Sequence, residues 1–85
     1  MVYLEEVATI REIVTDTLGL GERGAGLTAE SPMLGAIPEL DSMAVINLIT
    51  ALEEHYGFSI ADDEINADVF QTLGSLAALV GRKLG

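Results

Sequence analysis

An aspartate followed by a serine, at the predicted start of a helix, is the part of this sequence best suited to chemistry. Asp41 and Ser42 follow a segment that contains Pro32 and Pro38. Asp41 can accept a hydrogen bond from an unpaired amide of the first helical turn. The Ser42 hydroxyl is then free at the positive end of the helix, where amides and the helix dipole attract anions. The pair therefore predicts a serine that can carry a phosphate ester.

The simpler alternative is a helix cap with no further chemistry, because Ser, Asp and Asn before a helix are usually just caps. An isolated Asp-Ser pair favours that alternative. The helix, the chain length and the charge around the pair must therefore decide between the two.

The helix that would position Ser42 extends to about Tyr56, and Gly57 suits the position just after its end. Its apolar residues recur at helical spacing and are Val45, Leu48, Ile49, Leu52 and Tyr56. This amphipathic pattern predicts one face in the core and one face in solvent.

Residues 2 to about 18 are predicted to form the first helix. Its apolar face consists of Tyr3, Val7, Ile10, Val14 and Leu18. Its acidic residues, which we expect largely on other faces, are Glu5, Glu6, Glu12 and Asp16. Gly19 and Gly21 are expected to end this helix.

A long first loop, from about Gly19 to Leu40, contains five of the nine glycines and both prolines. A loop of this length must be held to a small domain by apolar side chains. The expected anchors are Leu27, Met33, Leu34, Ile37 and Leu40. We expect a short turn at residues 28–30, and we expect the glycine-rich part, residues 21–26, to be mobile.

The remaining residues predict two more helices. Phe58 and Ile60 form an extended link into the core, and a short third helix begins at residues 62–65, before Val69 and Phe70 return to the core. The last helix runs from about Thr72 to Lys83, and its apolar stripe is Leu73, Leu76, Ala77, Val80 and Leu84. The predicted fold is all-α. It is a small four-helix bundle, with three longer helices and one short third helix, in a single domain over residues 1–85.

Composition excludes several classes of protein. The 85 residues include no cysteine, so disulfides, zinc-cysteine sites and a catalytic thiol are impossible. A net charge of -10 disfavours nucleic acid and anionic membranes and favours basic protein surfaces. No apolar run reaches the roughly 20 residues of a membrane span. Glu5 and Glu6 are unlike the start of a signal peptide, so we expect a cytoplasmic monomer.

Three other candidate sites are rejected. Gly19 to Gly24 matches the dinucleotide pattern G-x-G-x-x-G but lacks the preceding strand that the pattern requires. His55, the one histidine, lies thirteen residues after Ser42 on the same predicted helix, about 20 Å away, which is too far for a catalytic triad. The acids at residues 62–64 lack the spacing of a calcium loop. We therefore predict neither catalytic residues nor a metal site.

The sequence resembles the acyl carrier protein family over nearly its whole length. The resemblance rests on Leu40-Asp41-Ser42-Met43, the run 51–54, Tyr56-Gly57, the segment 31–34 and the segment 70–73. It implies that Ser42 carries a covalent 4'-phosphopantetheine arm, whose thiol holds cargo as thioesters. It also implies a phosphopantetheinyl transferase as partner, with Asp41 helping to position its substrate, and acyl-transferring or synthase enzymes with basic docking surfaces.

Met43, beside an outward Ser42, is predicted either to fill a gap in the core or to be a partly exposed apolar contact for partner enzymes. A partner-binding surface is predicted on the exposed side of the second helix. Its predicted residues are Met43, Ala44, Asn47, Glu53 and Glu54, with Thr50 on the same face. In the best-known carrier proteins this face is more acidic near the serine, which argues against assuming fatty-acid synthase partners. Residues expected near a sheltered acyl chain, or alternatively in an ordinary core, are Leu48, Leu52, Tyr56, Ile60, Phe70 and Leu76. The alternative function is a cofactor-free acidic adaptor that binds a basic partner through the second helix.

Overall fold

The computed structural model describes the backbone of residues 2–84 and the side chains of residues 6–84. The α-helices are α1 (Val2–Leu18), α2 (Glu22–Ala25), α3 (Ser42–Tyr56) and α4 (Leu73–Leu84), and a 3₁₀ helix (Asp62–Glu64) lies between α3 and α4. α1 packs against each of the other three α-helices. The predicted all-α bundle is therefore confirmed. Its three longer helices are α1, α3 and α4, and the 3₁₀ helix is its short third helix.

The core lies where the helical spacing predicts it. The buried apolar residues of α1, α3 and α4 are Val7, Ile10, Val14, Leu18, Leu48, Ile49, Leu52, Leu73, Leu76, Ala77, Leu79 and Val80. Val69 and Phe70 are also buried. Leu84 was predicted in the α4 stripe but is exposed, because it is the last residue of the helix. Tyr3 lies outside the described side chains. Along residues 2–84, no helix combines the length and hydropathy needed to cross a bilayer.

Glu6 is a correction to the predicted surface of α1, because its side chain is only 7% exposed. Three buried side-chain atoms among residues 6–84 have no hydrogen-bond partner, and they are Glu6 Oε2, Glu39 Oε1 and the Tyr56 hydroxyl. Burial raises the pKa of the Tyr56 phenol. Thr9 lies nearby and opposes this rise in pKa, although the Tyr56 hydroxyl forms no hydrogen bond with it. The negative charge of Glu6 raises the pKa of Tyr56 further. A carboxylate therefore lies in the α1–α3 contact at a cost in stability.

The short helix α2 is a second correction, because a loop was predicted there. The helix fits against α1 because Gly24 has no side chain: a Cβ atom at this position would collide with Thr15. Gly21, at the start of α2, has a φ of 59°, which favours glycine. The glycines that suggested an irregular segment therefore allow a close helical contact.

Hydrogen bonds hold the remainder of the long loop to the start of α4. Met33 N donates to Gln71 O at 2.9 Å, and Leu34 N donates to Phe70 O at 3.0 Å. The buried anchors of the loop are Met33, Ile37 and Leu40, as predicted, and Leu27 is half-buried. Leu34 was also predicted as an anchor but is exposed, so its backbone and not its side chain holds the loop.

The segment after α3 enters the core as an extended link, as the sequence predicts. Ile60 is buried, and the half-buried Phe58 stacks on Tyr56 with ring centroids 5.5 Å apart. The chain then forms the 3₁₀ helix, whose Glu64 accepts a 2.8 Å hydrogen bond from Lys83 in α4. This ion pair joins the short third helix to the C-terminal part of the bundle.

We predict that Glu6→Leu stabilises the protein, because it removes a buried carboxyl group whose Oε2 atom has no hydrogen-bond partner among the side chains of residues 6–84. Leaving a buried polar group unpaired costs about 1–3 kcal/mol, and the expected gain in unfolding free energy is of that order. Urea unfolding measures it. The exposed Glu12→Leu substitution on the same helix is the control and should change stability by less than about 0.5 kcal/mol. A loss of stability in Glu6→Leu would show that the carboxylate is satisfied in solution.

We predict that the Glu64–Lys83 pair makes stability depend on pH in the acidic range. The hydrogen bond from Lys83, followed by that from the Ala61 amide, lowers the pKa of Glu64 below its ordinary value of 4.5. The stabilisation is therefore complete above about pH 4.5 and is lost as the pH falls through the folded-state pKa. Glu64→Gln should lose stability at neutral pH and approach the original protein in acid. Asp63→Asn, at an exposed neighbour, should reproduce neither change.

Candidate functional site

The start of α3 is built by Asp41, as the sequence predicts. Asp41 has an extended backbone, with φ of -101° and ψ of -174°, and its Oδ1 atom accepts a 2.8 Å hydrogen bond from Ala44 N. Its carbonyl oxygen accepts the first intrahelical bond from Val45 N at 2.9 Å. Gly57 ends the helix in the left-handed conformation with φ of 75°. Asp41 therefore fixes where the helix begins.

Ser42 is the first residue of α3 and is exposed. Within residues 6–84 no hydrogen bond involves the Ser42 hydroxyl, and the amides of Ser42 and Met43 donate to no described acceptor. These two amides lie at the positive end of the helix dipole. The hydroxyl is accessible for esterification, and the two amides are free to bind the oxygens of a phosphate attached there.

The loop before Ser42 is held on both of its sides. Leu40 is buried, and its amide donates to Ile37 O at 3.0 Å. Glu39, on the outer side, forms an ion pair with Arg23 of α2. The hydrogen bond from Arg23 lowers the pKa of Glu39, so this carboxylate is ionised at neutral pH. α2, absent from the sequence prediction, thus contacts the segment that leads into the site.

The outer face of α3 carries most of the predicted partner-binding residues. Met43, Asn47 and Glu54 are exposed, whereas Ala44 is half-buried. Glu53 is also half-buried, and its Oε2 atom accepts a 2.8 Å hydrogen bond from Ile60 N, so it holds the link after α3. Sequence reasoning missed Ile46, which is exposed on this face. Its spacing of three residues from Met43 was the signal that could have identified it.

The other chemistry considered from the sequence finds no site in the described part of the chain. Ser42 and His55 lie near opposite ends of α3, about 20 Å apart along the helix axis. Gly19 to Gly24 follows α1 rather than a strand. Among the side chains of residues 6–84, no three His, Asp or Glu residues come together to hold a metal ion.

The residues predicted near an acyl chain are tightly packed. Leu48, Leu52, Ile60, Phe70 and Leu76 are buried and Tyr56 is half-buried. The surface cavities described lie elsewhere. One of about 560 Å³ between α1, α2 and α3 is lined by residues that include Thr9, Asp16 and His55. These residues therefore belong to the core, and the sheltering of an acyl chain among them stays a prediction.

Taken together, these features define a small helical bundle that presents an accessible serine at the positive end of a capped helix. Comparison with known proteins gives the class. Residues 8–80 match the family described as phosphopantetheine attachment site. A solution structure of a holo acyl carrier protein from Nitrosomonas europaea is 60% identical in sequence, with a TM-score of 0.87, over 92% of this chain and 94% of that chain. No curated protein gives a significant match.

The chain belongs to the acyl carrier protein family. Members of this family are carriers and not enzymes, and their cofactor is 4'-phosphopantetheine, attached covalently. The free hydroxyl and unbonded amides at the start of α3 fit the phosphate end of that group. The predictions of a carrier class and of this cofactor are therefore confirmed, and the cofactor-free adaptor is disfavoured.

We predict that Asp41→Ala destabilises the protein by about 1 kcal/mol, because it removes the side-chain acceptor that caps α3. Asp41→Asn should retain most of the stability, since an asparagine oxygen can accept the same bond from Ala44 N. Thermal or urea unfolding of the two variants measures the difference. Equal destabilisation by both substitutions would indicate that the negative charge of Asp41, and not the capping bond, stabilises the helix.

Proposed function

We propose that Ser42 is the attachment residue and that the protein carries acyl or related intermediates as thioesters on the arm. The observation that supports Ser42 most strongly is its exposed hydroxyl, free beside two unbonded amides, directly after the capping Asp41. A phosphodiester at this position would lie at the positive end of α3. When bound, the arm supplies the terminal thiol that this cysteine-free chain lacks.

The chain's own part in loading the arm is to present the hydroxyl. Because the Asp41 side chain accepts the Ala44 amide, it is not available to bond Ser42 in the same way. We also propose that Asp41 uses its second carboxylate oxygen to help position the substrate of a phosphopantetheinyl transferase. In the transfer the Ser42 oxygen bonds to the phosphorus that bears the pantetheine, the pyrophosphate P–O bond of coenzyme A breaks, and adenosine 3',5'-bisphosphate leaves. The hydroxyl proton passes to a base of the transferase.

The proposed partners are this transferase and enzymes that use acylated carriers in fatty acid, polyketide or specialised lipid biosynthesis. Docking is proposed on the outer face of α3, at Met43, Ala44 and Asn47, with Glu53 and Glu54 at its far end. A cytoplasmic monomer consisting of one domain over residues 1–85 remains a prediction from the sequence.

The attachment residue is tested by the intact mass of the protein after incubation with coenzyme A and a broad-specificity phosphopantetheinyl transferase. We expect the original protein to gain one phosphopantetheine and Ser42→Ala to gain none. Ser59→Ala, which removes another exposed serine, is the matched control and should be modified fully. Circular dichroism should show that both variants are folded.

Two results would contradict the assignment. Modification of Ser42→Ala would place the arm on another residue. A folded original protein that several transferases leave unmodified would contradict the proposal that Ser42 is loaded.

A further inference from the structure

The short helix α2 is attached to α1 on both of its sides. Before α2, the Leu20 amide donates to Thr15 O at 3.0 Å. After α2, the Arg11 Nη1 atom donates to Leu27 O at 3.3 Å. Because both flanking segments are bonded to α1, the Arg23 side chain extends from a backbone that the bundle holds in place.

The Arg23 side chain connects α2 to the segment before Ser42. Within residues 2–84, the backbone of α2 approaches α1 closely but approaches neither α3 nor α4. Arg23 nevertheless forms an ion pair with Glu39, sixteen residues further along the chain. This pair therefore links the α1–α2 unit to the residues that lead into α3.

Glu39 passes this link on to the start of α3 through two hydrogen bonds. The Glu39 carbonyl oxygen accepts the Asp41 amide at 3.1 Å. The Asp41 carboxylate in turn accepts the Ala44 amide at 2.8 Å. Consecutive bonds therefore join Arg23 to the first turn of α3, and Ser42 lies between the last two residues that they connect.

The position of the Glu39 carboxylate depends on its partner. Its Oε2 atom pairs with Arg23, whereas its Oε1 atom is buried and finds no hydrogen-bond partner among the side chains and backbone described. Without the guanidinium, neither oxygen would have a partner. Because a buried acceptor without a partner is unfavourable, the carboxylate would turn towards water and displace the backbone that holds the Asp41 amide.

We propose that Arg23 is a positioning residue for the loading of Ser42, and that it acts through Glu39 and Asp41 on the start of α3. This inference rests on the proposed function of Ser42. It adds a residue from a different element to those that present the hydroxyl. The Arg23 side chain is 60% exposed, so the expected effect is that of a surface ion pair.

The opposite charges of the two partners provide the test. Arg23→Gln makes the protein more negative, and Glu39→Gln makes it less negative. A transferase that recognised these charges directly would bind one variant more tightly and the other more weakly. If the pair positions Ser42, both substitutions slow loading by a similar factor, because both break the same interaction.

The Glu64–Lys83 pair supplies matched controls. Lys83→Gln changes the net charge as Arg23→Gln does, and Glu64→Gln changes it as Glu39→Gln does. Each control also breaks an ion pair between two elements, but that pair joins the 3₁₀ helix to α4. Effects of net charge or of a lost ion pair in general would therefore appear in the controls as well.

The measurement is single-turnover loading of the apo protein over a range of concentrations of a broad-specificity phosphopantetheinyl transferase. It gives the maximal rate and the half-saturating concentration separately. We expect Arg23→Gln and Glu39→Gln each to lower the maximal rate about twofold to fivefold, the range in which exposed ion pairs shift an equilibrium. The half-saturating concentration should stay within about twofold of the original, and the double variant should be no slower than the slower single variant.

A second readout needs no transferase. Amide hydrogen exchange of the apo protein, followed by NMR, reports the bonds of the Asp41 and Ala44 amides. Exchange at both amides should be faster in Arg23→Gln by about the same factor as loading is slower. It should stay at the original rate in Lys83→Gln, which breaks the control pair.

The proposal is overturned if Arg23→Gln is loaded at the original maximal rate. Opposite shifts of the half-saturating concentration in Arg23→Gln and Glu39→Gln, with unchanged maximal rates, would also overturn it, since the transferase would then recognise the two charges directly. So would effects that multiply in the double variant. Every variant should still reach full modification, whereas an original protein that is never modified would contradict the assignment of Ser42 itself.

Discussion

The hydrogen bond from the Ala44 amide to the Asp41 carboxylate is the interaction on which the functional end of the molecule depends. It fixes the first residue of α3 and leaves the next side chain, Ser42, free of a capping role. The same bond removes one unpaired amide and leaves two others facing solvent. A helix that began one residue later would make Ser42 the cap, and its hydroxyl would then be engaged in the fold.

The bundle supports this arrangement through α1, which is the common packing partner of the other three α-helices. Gly24 brings α2 against Thr15 of α1, and Arg23 beside it reaches Glu39 in the loop before Ser42. The loop is also held by Met33, whose amide donates to Gln71 O near the start of α4. Each end of the long connection is thereby tied to a helix, and Ser42 is presented from a supported segment.

The charge of the whole chain differs from the charge close to Ser42. The acids of the chain make basic partners attractive at a distance, because opposite charges increase the rate of encounter. Close to Ser42, Glu39 is paired with Arg23, Asp41 uses one of its two carboxylate oxygens to cap α3, and Met43 and Ile46 are exposed apolar side chains. The net charge of the whole chain therefore does not describe the surface immediately beside Ser42.

The sequence by itself determined the all-α fold, the three longer helices and the capped start of α3, because helical spacing and capping are local properties that the chain records directly. It also identified the family through the residues around Ser42. Only the tertiary structure decided that Glu6 is buried, that a helical turn at Gly24 packs on Thr15, and that Glu39 is paired with Arg23. These features depend on contacts between segments distant in the sequence, and no local pattern specifies which segments meet.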